Sequence, residues 1–200
     1  SAPMEGFSLK RLTLVILVLT AILASTPTLA QSYKIDTSHS ALDFSIRHLV
    51  SKTTGTFGAF SGTIMYDANH PEKSQFLGTI DVSSIDTQNS RRDGHLQSGD
   101  FFDVATYPTI TFASTQVEKT DDGRLQVTGD LAMHGVTKSV MIPVEILGTG
   151  THPMSGKKQI GLAGELTIKA SDFGINSWEN FVAILGDEID IRILVEANAG

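Results

Sequence analysis

Leu42-Asp43-Phe44-Ser45-Ile46-Arg47-His48 alternates without a break. Leu42, Phe44, Ile46 and His48 share one face; Asp43, Ser45 and Arg47 share the other. A period of two marks a strand with one dry face and one wet face. The alternation returns seven more times along the chain. Phe60, Ile64 and Tyr66 form the second set, and Phe76, Ile80 and Val82 the third. Ile110 and Phe112 form the fourth, and Leu125, Val127, Leu131 and Met133 the fifth. Val140, Ile142, Val144 and Ile146 make the sixth. Ile160, Leu162, Leu166 and Ile168 make the seventh, and Ile189, Ile191, Ile193 and Val195 the eighth.

The links between these sets predict antiparallel pairing. Asp121-Asp122-Gly123 and His134-Gly135 read as tight turns, with Gly supplying positive φ. Asn69 and Pro71, and the run containing Gly148, Gly150, Pro153 and Gly156, mark loops. Most links are too short for a crossover helix. Residues 87–104 are the exception. Asp86 or Thr87 can cap a helix starting near Gln88, and Leu96, Phe101 and Phe102 offer apolar groups to bury. Gly62, Gly78, Gly129 and Gly164 fall at or beside inward positions, where a closed wall must bend sharply. The expected fold is all-β, an eight-stranded antiparallel barrel with one short helix between strands 3 and 4. A two-sheet sandwich shares the alternation and stays open at this point.

Upstream of the domain, Ser1-Ala2-Pro3 precede Met4 and read as a cloning remnant. Lys10 and Arg11, an apolar run of 12 residues over 12–23, and Thr28-Leu29-Ala30 then follow in the order of a secretory signal peptide. The run falls short of the ~20 residues of a spanning helix. Cleavage after Ala30 is expected, leaving residues 31–200 as one domain in the periplasm; an uncleaved anchor is the alternative. No stable membrane insertion is expected after cleavage. Taking Glu5, Lys10 and Arg11 from 15 basic and 22 acidic residues leaves 13 against 21, a net −8. Such a balance disfavours nucleic acid and anionic headgroups as partners. The chain has no cysteine, so its core must hold without disulfides.

No catalytic motif stands out. The histidines at 39, 48, 70, 95, 134 and 152 include no HxH or HExxH pair, so no metal is expected; hydrogen bonding at strand ends is their expected role. Asp36, Ser38 and His39 are too close together for more than turn chemistry. No phosphate loop or dinucleotide fingerprint occurs, and no cofactor is expected. Two segments concentrate polar and aromatic groups. In residues 91–103, Arg92 and Asp93 can pin a helix while Phe101 and Phe102 plug a barrel end; Arg92 and His95 can also meet a polar headgroup. In residues 171–181, Phe173, Ile175, Trp178 and Phe181 form either a loop tucked onto the core or a flap over an apolar cavity.

These segments carry a resemblance. Tyr33-Lys34-Ile35-Asp36, Ile46-Arg47-His48-Leu49 and Ser84-Ile85-Asp86-Thr87 are similar to blocks of the YceI-like family. So are Arg92-Asp93, His95-Leu96 and Asp100-Phe101-Phe102-Asp103. Tyr107-Pro108-Thr109-Ile110-Thr111-Phe112, His134-Gly135-Val136-Thr137-Lys138 and Ser171-Asp172-Phe173-Gly174 extend the match across 33–197. The resemblance implies a lipocalin-like barrel that holds a polyprenol, quinone, fatty amide or other long amphiphile in its lumen. The lumen expectation names Phe44, Ile46, Phe60, Phe76, Ile80 and Phe112. It continues with Leu131, Ile142, Leu162 and Ile191. Phe102, Phe173, Trp178, Phe181, Arg92 and His95 are expected at the entrance. The competing readings are an envelope stress protein with a solid barrel, and an enzyme on an amphiphile using His95, His134 or Asp172. The polar outer faces do not demand a partner, and a homodimer stays open.

Overall fold

The computed structural model describes residues 30–175 and 184–200. The apolar N-terminal run lies outside them, as do Trp178 and Phe181. Eleven strands form one sheet: β1 (Gln31–Ile35), β2 (Ala41–His48), β3 (Ser51–Phe57), β4 (Phe60–Tyr66), β5 (Gln75–Asp81), β6 (Ile85–Asp86), β7 (Thr109–Lys119), β8 (Leu125–Met133), β9 (Val136–Thr151), β10 (Lys158–Lys169) and β11 (Leu185–Ala199). The order β1-β4-β5-β7-β8-β9-β10-β11 returns on itself through pairing of β1 with β11. The sheet is therefore a closed eight-stranded barrel, not a sandwich, and its ladders are antiparallel.

Three staves of the barrel are broken strands. β1 and β2 lie along the same edge of β11, with Ile35 opposite Ala197 and Ala41 opposite Leu194. Between them the chain juts out as a short 3-10 turn, where Asp36 Oδ1 accepts the Ser38 N–H at 3.0 Å. β3 pairs with β2, and β4 with β1, so β3 and β4 form the second stave. β5 and β6 form the third, joined through Val82–Ser84. The eight alternating sets are thus eight staves; β1 repeats the alternation only over Tyr33 and Ile35, and β3 and β6 carry no such pattern. β3 shows why. Gly55 lies opposite Phe44, and a methyl group there would sit 2.8 Å from Phe44 Cε1. The ring fills the space that an inward side chain of β3 would take, a cross-strand arrangement that leaves no apolar rhythm in β3 itself. Gly129 plays the same part under Phe112, whose Cζ would lie 2.5 Å from a methyl group.

Among the described strands β6 pairs only with β3, and the 87–108 connection follows it. Helix α1 (Ser90–Gln97) lies there, starting later than the sequence predicts. Asn89 is its cap, accepting the Arg92 N–H at 3.1 Å. Asp86 and Thr87 are already committed: Asp86 Oδ1 accepts the Gln88 N–H at 2.7 Å, and Thr87 is bonded to Arg92 and Asp93. No helix among the described residues is long and apolar enough to cross a membrane.

Candidate ligand-binding site

Two groups of buried side chains fill the barrel's ends. One contains Tyr33, Val117, Leu125, Val127, Ile160 and Ala197. Burial pushes the Tyr33 phenol up, with Tyr66 adding to the effect. The other lies under α1 and includes Phe57, Val82, Phe101, Phe102, Met133 and Phe173. Between them runs a band of inward residues that are only half-buried: Leu42, Phe44, Phe60, Ile80, Phe112, Leu131, Leu166 and Ile191. Alternation turns these side chains away from solvent, so their remaining exposure is to an internal space. That space is a cavity of about 460 Å³, within the range of small-molecule sites. Gly78 contributes bare wall, since a Cβ placed there has no atom within 4 Å.

Thirteen of the sixteen residues singled out in the sequence sit on this wall: Phe44, Ile46, Phe60, Phe76, Ile80, Phe102, Phe112, Leu131, Ile142, Leu162 and Ile191, with Arg92 and His95. Phe173 is corrected. It is 1% exposed and absent from the wall, because the 3-10 turn Ala170–Phe173 packs it into the core under α1. Trp178 and Phe181 lie outside the described residues. Phe57 was missed. It sits in the patternless β3, packing its ring 5.5 Å from Phe44 and 6.4 Å from Phe102, the latter edge-on.

Thr87, Arg92 and His95 form a polar cluster on the wall at the α1 end. Arg92 donates from Nε to Thr87 Oγ1 at 2.7 Å, and from its terminal nitrogen to Thr87 O at 2.7 Å. Asp93 accepts the Thr87 N–H at 2.9 Å and its hydroxyl at 2.5 Å. This ties α1 to the rim, the structural role foreseen for the pair. His95 pairs with Asp100 at 3.0 Å and meets the Phe101 ring edge-on at 4.9 Å. His48, His95 and Ile184 are exposed yet line the cavity at this end, as do the exposed Ser61, Leu77, Thr79 and Thr111 on the β4, β5 and β7 side. His134 is not on the wall. Its Nδ1 lies 3.2 Å from the Phe173 carbonyl, and its ring packs on Tyr107. Only Asp36, His39 and Glu196, among the described residues, bring three potential metal-ligand atoms within 4.8 Å of one another. His39 and Asp36 there bond each other, at 3.1 Å.

Residues 33–197 match the model of the YceI-like domain. The chain belongs to the YceI-like domain family. Protein YceI of Escherichia coli O157:H7 is 40% identical over 170 residues, 84% of this chain and 86% of its own. The crystal structure of the Campylobacter jejuni YCEI protein superposes with a TM-score of 0.69 at 35% identity, covering 77% of this chain and 90% of that one. A domain from Saccharophagus degradans, described as polyisoprenoid binding and implicated in plant cell wall breakdown, shares the fold. Its TM-score is 0.66 at 20% identity, covering 86% of this chain and 99% of that one. The YceI-like barrel in this chain combines an apolar cavity with a polar cluster of Thr87, Arg92 and His95 at the α1 end.

Proposed function

We propose that this protein is a periplasmic carrier that holds a long-chain isoprenoid, or a comparable amphiphile such as a quinone or fatty amide, in its lumen. The observation that carries this reading is the band of inward, half-buried apolar side chains around an open cavity. A chain-like lipid offers about five carbons per isoprene unit, and burial of each unit is worth of order 3–4 kcal/mol gross, before ordering and association costs. The wall meets such a ligand mostly with aliphatic and phenyl groups, and the Thr87, Arg92 and His95 rim leaves its polar end near water. The polyisoprenoid-binding description of the S. degradans domain supports an isoprenoid over other apolar guests. The signal-like run before Ala30 supports export, and the placing of His134 and Asp172 off the wall supports binding over catalysis.

Native mass spectrometry of the protein, before and after incubation with a polyprenol and with a long-chain quinone, tests this. A stoichiometric adduct that survives in the gas phase is expected. Absence of any adduct, together with no passenger on organic extraction, refutes the carrier reading. Turnover of the lipid lost in a His95→Ala variant would favour the enzyme instead.

A further inference from the structure

The β2–β3 turn breaks the rules of its own geometry. His48 pairs with Ser51, so Leu49 and Val50 alone make the hairpin turn. Leu49 has φ 51°, at the first turn position, where a two-residue hairpin with positive φ normally takes glycine. Leucine there is strained and a β-branched neighbour adds nothing to the turn. Neither side chain is buried in return: Val50 is fully exposed at 103% and Leu49 is 53% exposed. Ile184, 39% exposed, adjoins them, its carbonyl accepting the Leu49 N–H at 2.7 Å. Three apolar side chains therefore project together at one point of the molecule. That point borders the cavity, since His48 and Ile184 both line it.

We infer that this hairpin tip is a membrane-docking wedge, and that its partner is the interfacial layer of a lipid bilayer. Three side chains fall far below the ~800 Å² per partner of a stable protein interface. They suffice for shallow, reversible insertion among lipid headgroups, where apolar tips gain burial without a shaped partner. Charge is not the attraction. Lys52 is paired with Asp190 at 2.8 Å, Lys169 faces Glu188 across the β10–β11 ladder, and Arg47, which donates to the Leu49 carbonyl at 3.5 Å, offsets Asp187. The wedge is thus close to neutral, and with the net negative charge of the domain, docking is expected on zwitterionic lipid. Its use follows from its place: insertion of Leu49 and Val50 sets this end of the cavity against the bilayer, where an isoprenoid can pass toward the lumen without crossing water.

This rests on the carrier reading, and the test separates the two. A fluorescent polyprenol is offered to the protein either in phosphatidylcholine vesicles or as a cyclodextrin complex. Val50→Asp, at a fully exposed position, leaves the barrel intact; circular dichroism checks this. Its uptake from vesicles is expected to slow by about tenfold or more, with little effect of salt, while uptake from cyclodextrin and final occupancy match wild type. Val50→Leu is expected to restore the vesicle rate. Equal vesicle rates in wild type and Val50→Asp overturn the wedge even if both proteins fill. Failure of wild type to take the polyprenol from cyclodextrin overturns the carrier reading, and the wedge with it.

Discussion

Replacing Gly78 with leucine separates a hollow barrel from a packed one. Gly78 sits on the cavity wall in phase with Phe76 and Ile80, and a Cβ there meets nothing within 4 Å. A leucine side chain has four carbons, close to one isoprene unit, so it displaces about one unit of ligand from the lumen. At ~0.8 kcal/mol per buried methylene that is roughly 3 kcal/mol of gross burial, or a loss in affinity of order 10²-fold for a ligand that fills the cavity. A ligand that shifts along the lumen recovers part of this, so a loss of at least about tenfold is expected. A ligand one unit shorter should lose far less. The folded protein should not suffer, because glycine inside a strand costs ~0.5–1 kcal/mol relative to alanine and the new side chain enters empty space. The assay is titration of wild type and Gly78→Leu with polyprenols of graded length, alongside thermal denaturation. A fall in stability of ~1–3 kcal/mol, typical of overpacking, with unchanged affinity would refute the reasoning.

Gly129→Ala is the converse case. Its methyl group would meet the Ala113 carbonyl oxygen and Phe112 Cζ at 2.5 Å each, so a destabilisation of ~1–3 kcal/mol is expected in denaturant titration. Asp93→Ala removes the acceptor of both Thr87 donors, and Thr87 is buried; hydrogen exchange should show α1 opening more readily, at a cost of ~1–3 kcal/mol in that segment, with β7 to β11 unaffected. The Asp36 turn predicts a pH window. The Asp36 carboxylate beside His39 raises the imidazole above its usual 6.5, and His39 in turn holds Asp36 below its usual 3.8. The His39 contribution is complete below 6.5 and lost as pH rises through its raised pKa. The Asp36 contribution is complete above 3.8 and lost as pH falls through its lowered one. The turn is therefore held best between those values, and an NMR titration of His39 should show a midpoint that drops toward 6.5 in Asp36→Asn. A midpoint unmoved by that substitution would discard the pairing.

What the sequence discloses about this barrel follows from local physics. Period-two alternation is a property of single strands, and it exposes Phe44, Ile80, Phe112, Leu131 and Ile191 as wall residues before any coordinates are known. Relations between strands leave a weaker trace. β3 hides because Phe44 supplies the bulk that Gly55 lacks, so Phe57 at its end carried no warning. Phe173 misled for a related reason. In an irregular segment no period tells an aromatic group on the wall from one in the core, and the 3-10 turn sends it inward. The cap of α1 moved to Asn89 because Thr87, which has the right chemistry, is used by Arg92 and Asp93. That competition exists only in three dimensions.

A crystal structure of the protein purified from the envelope without lipid extraction bears most directly on the hollow-barrel claim. Elongated density should run between Phe44, Phe112, Leu131 and Ile191, with its polar end near Thr87, Arg92 and His95. A lumen closed by the same side chains swinging inward, with no room left for a guest, would contradict it.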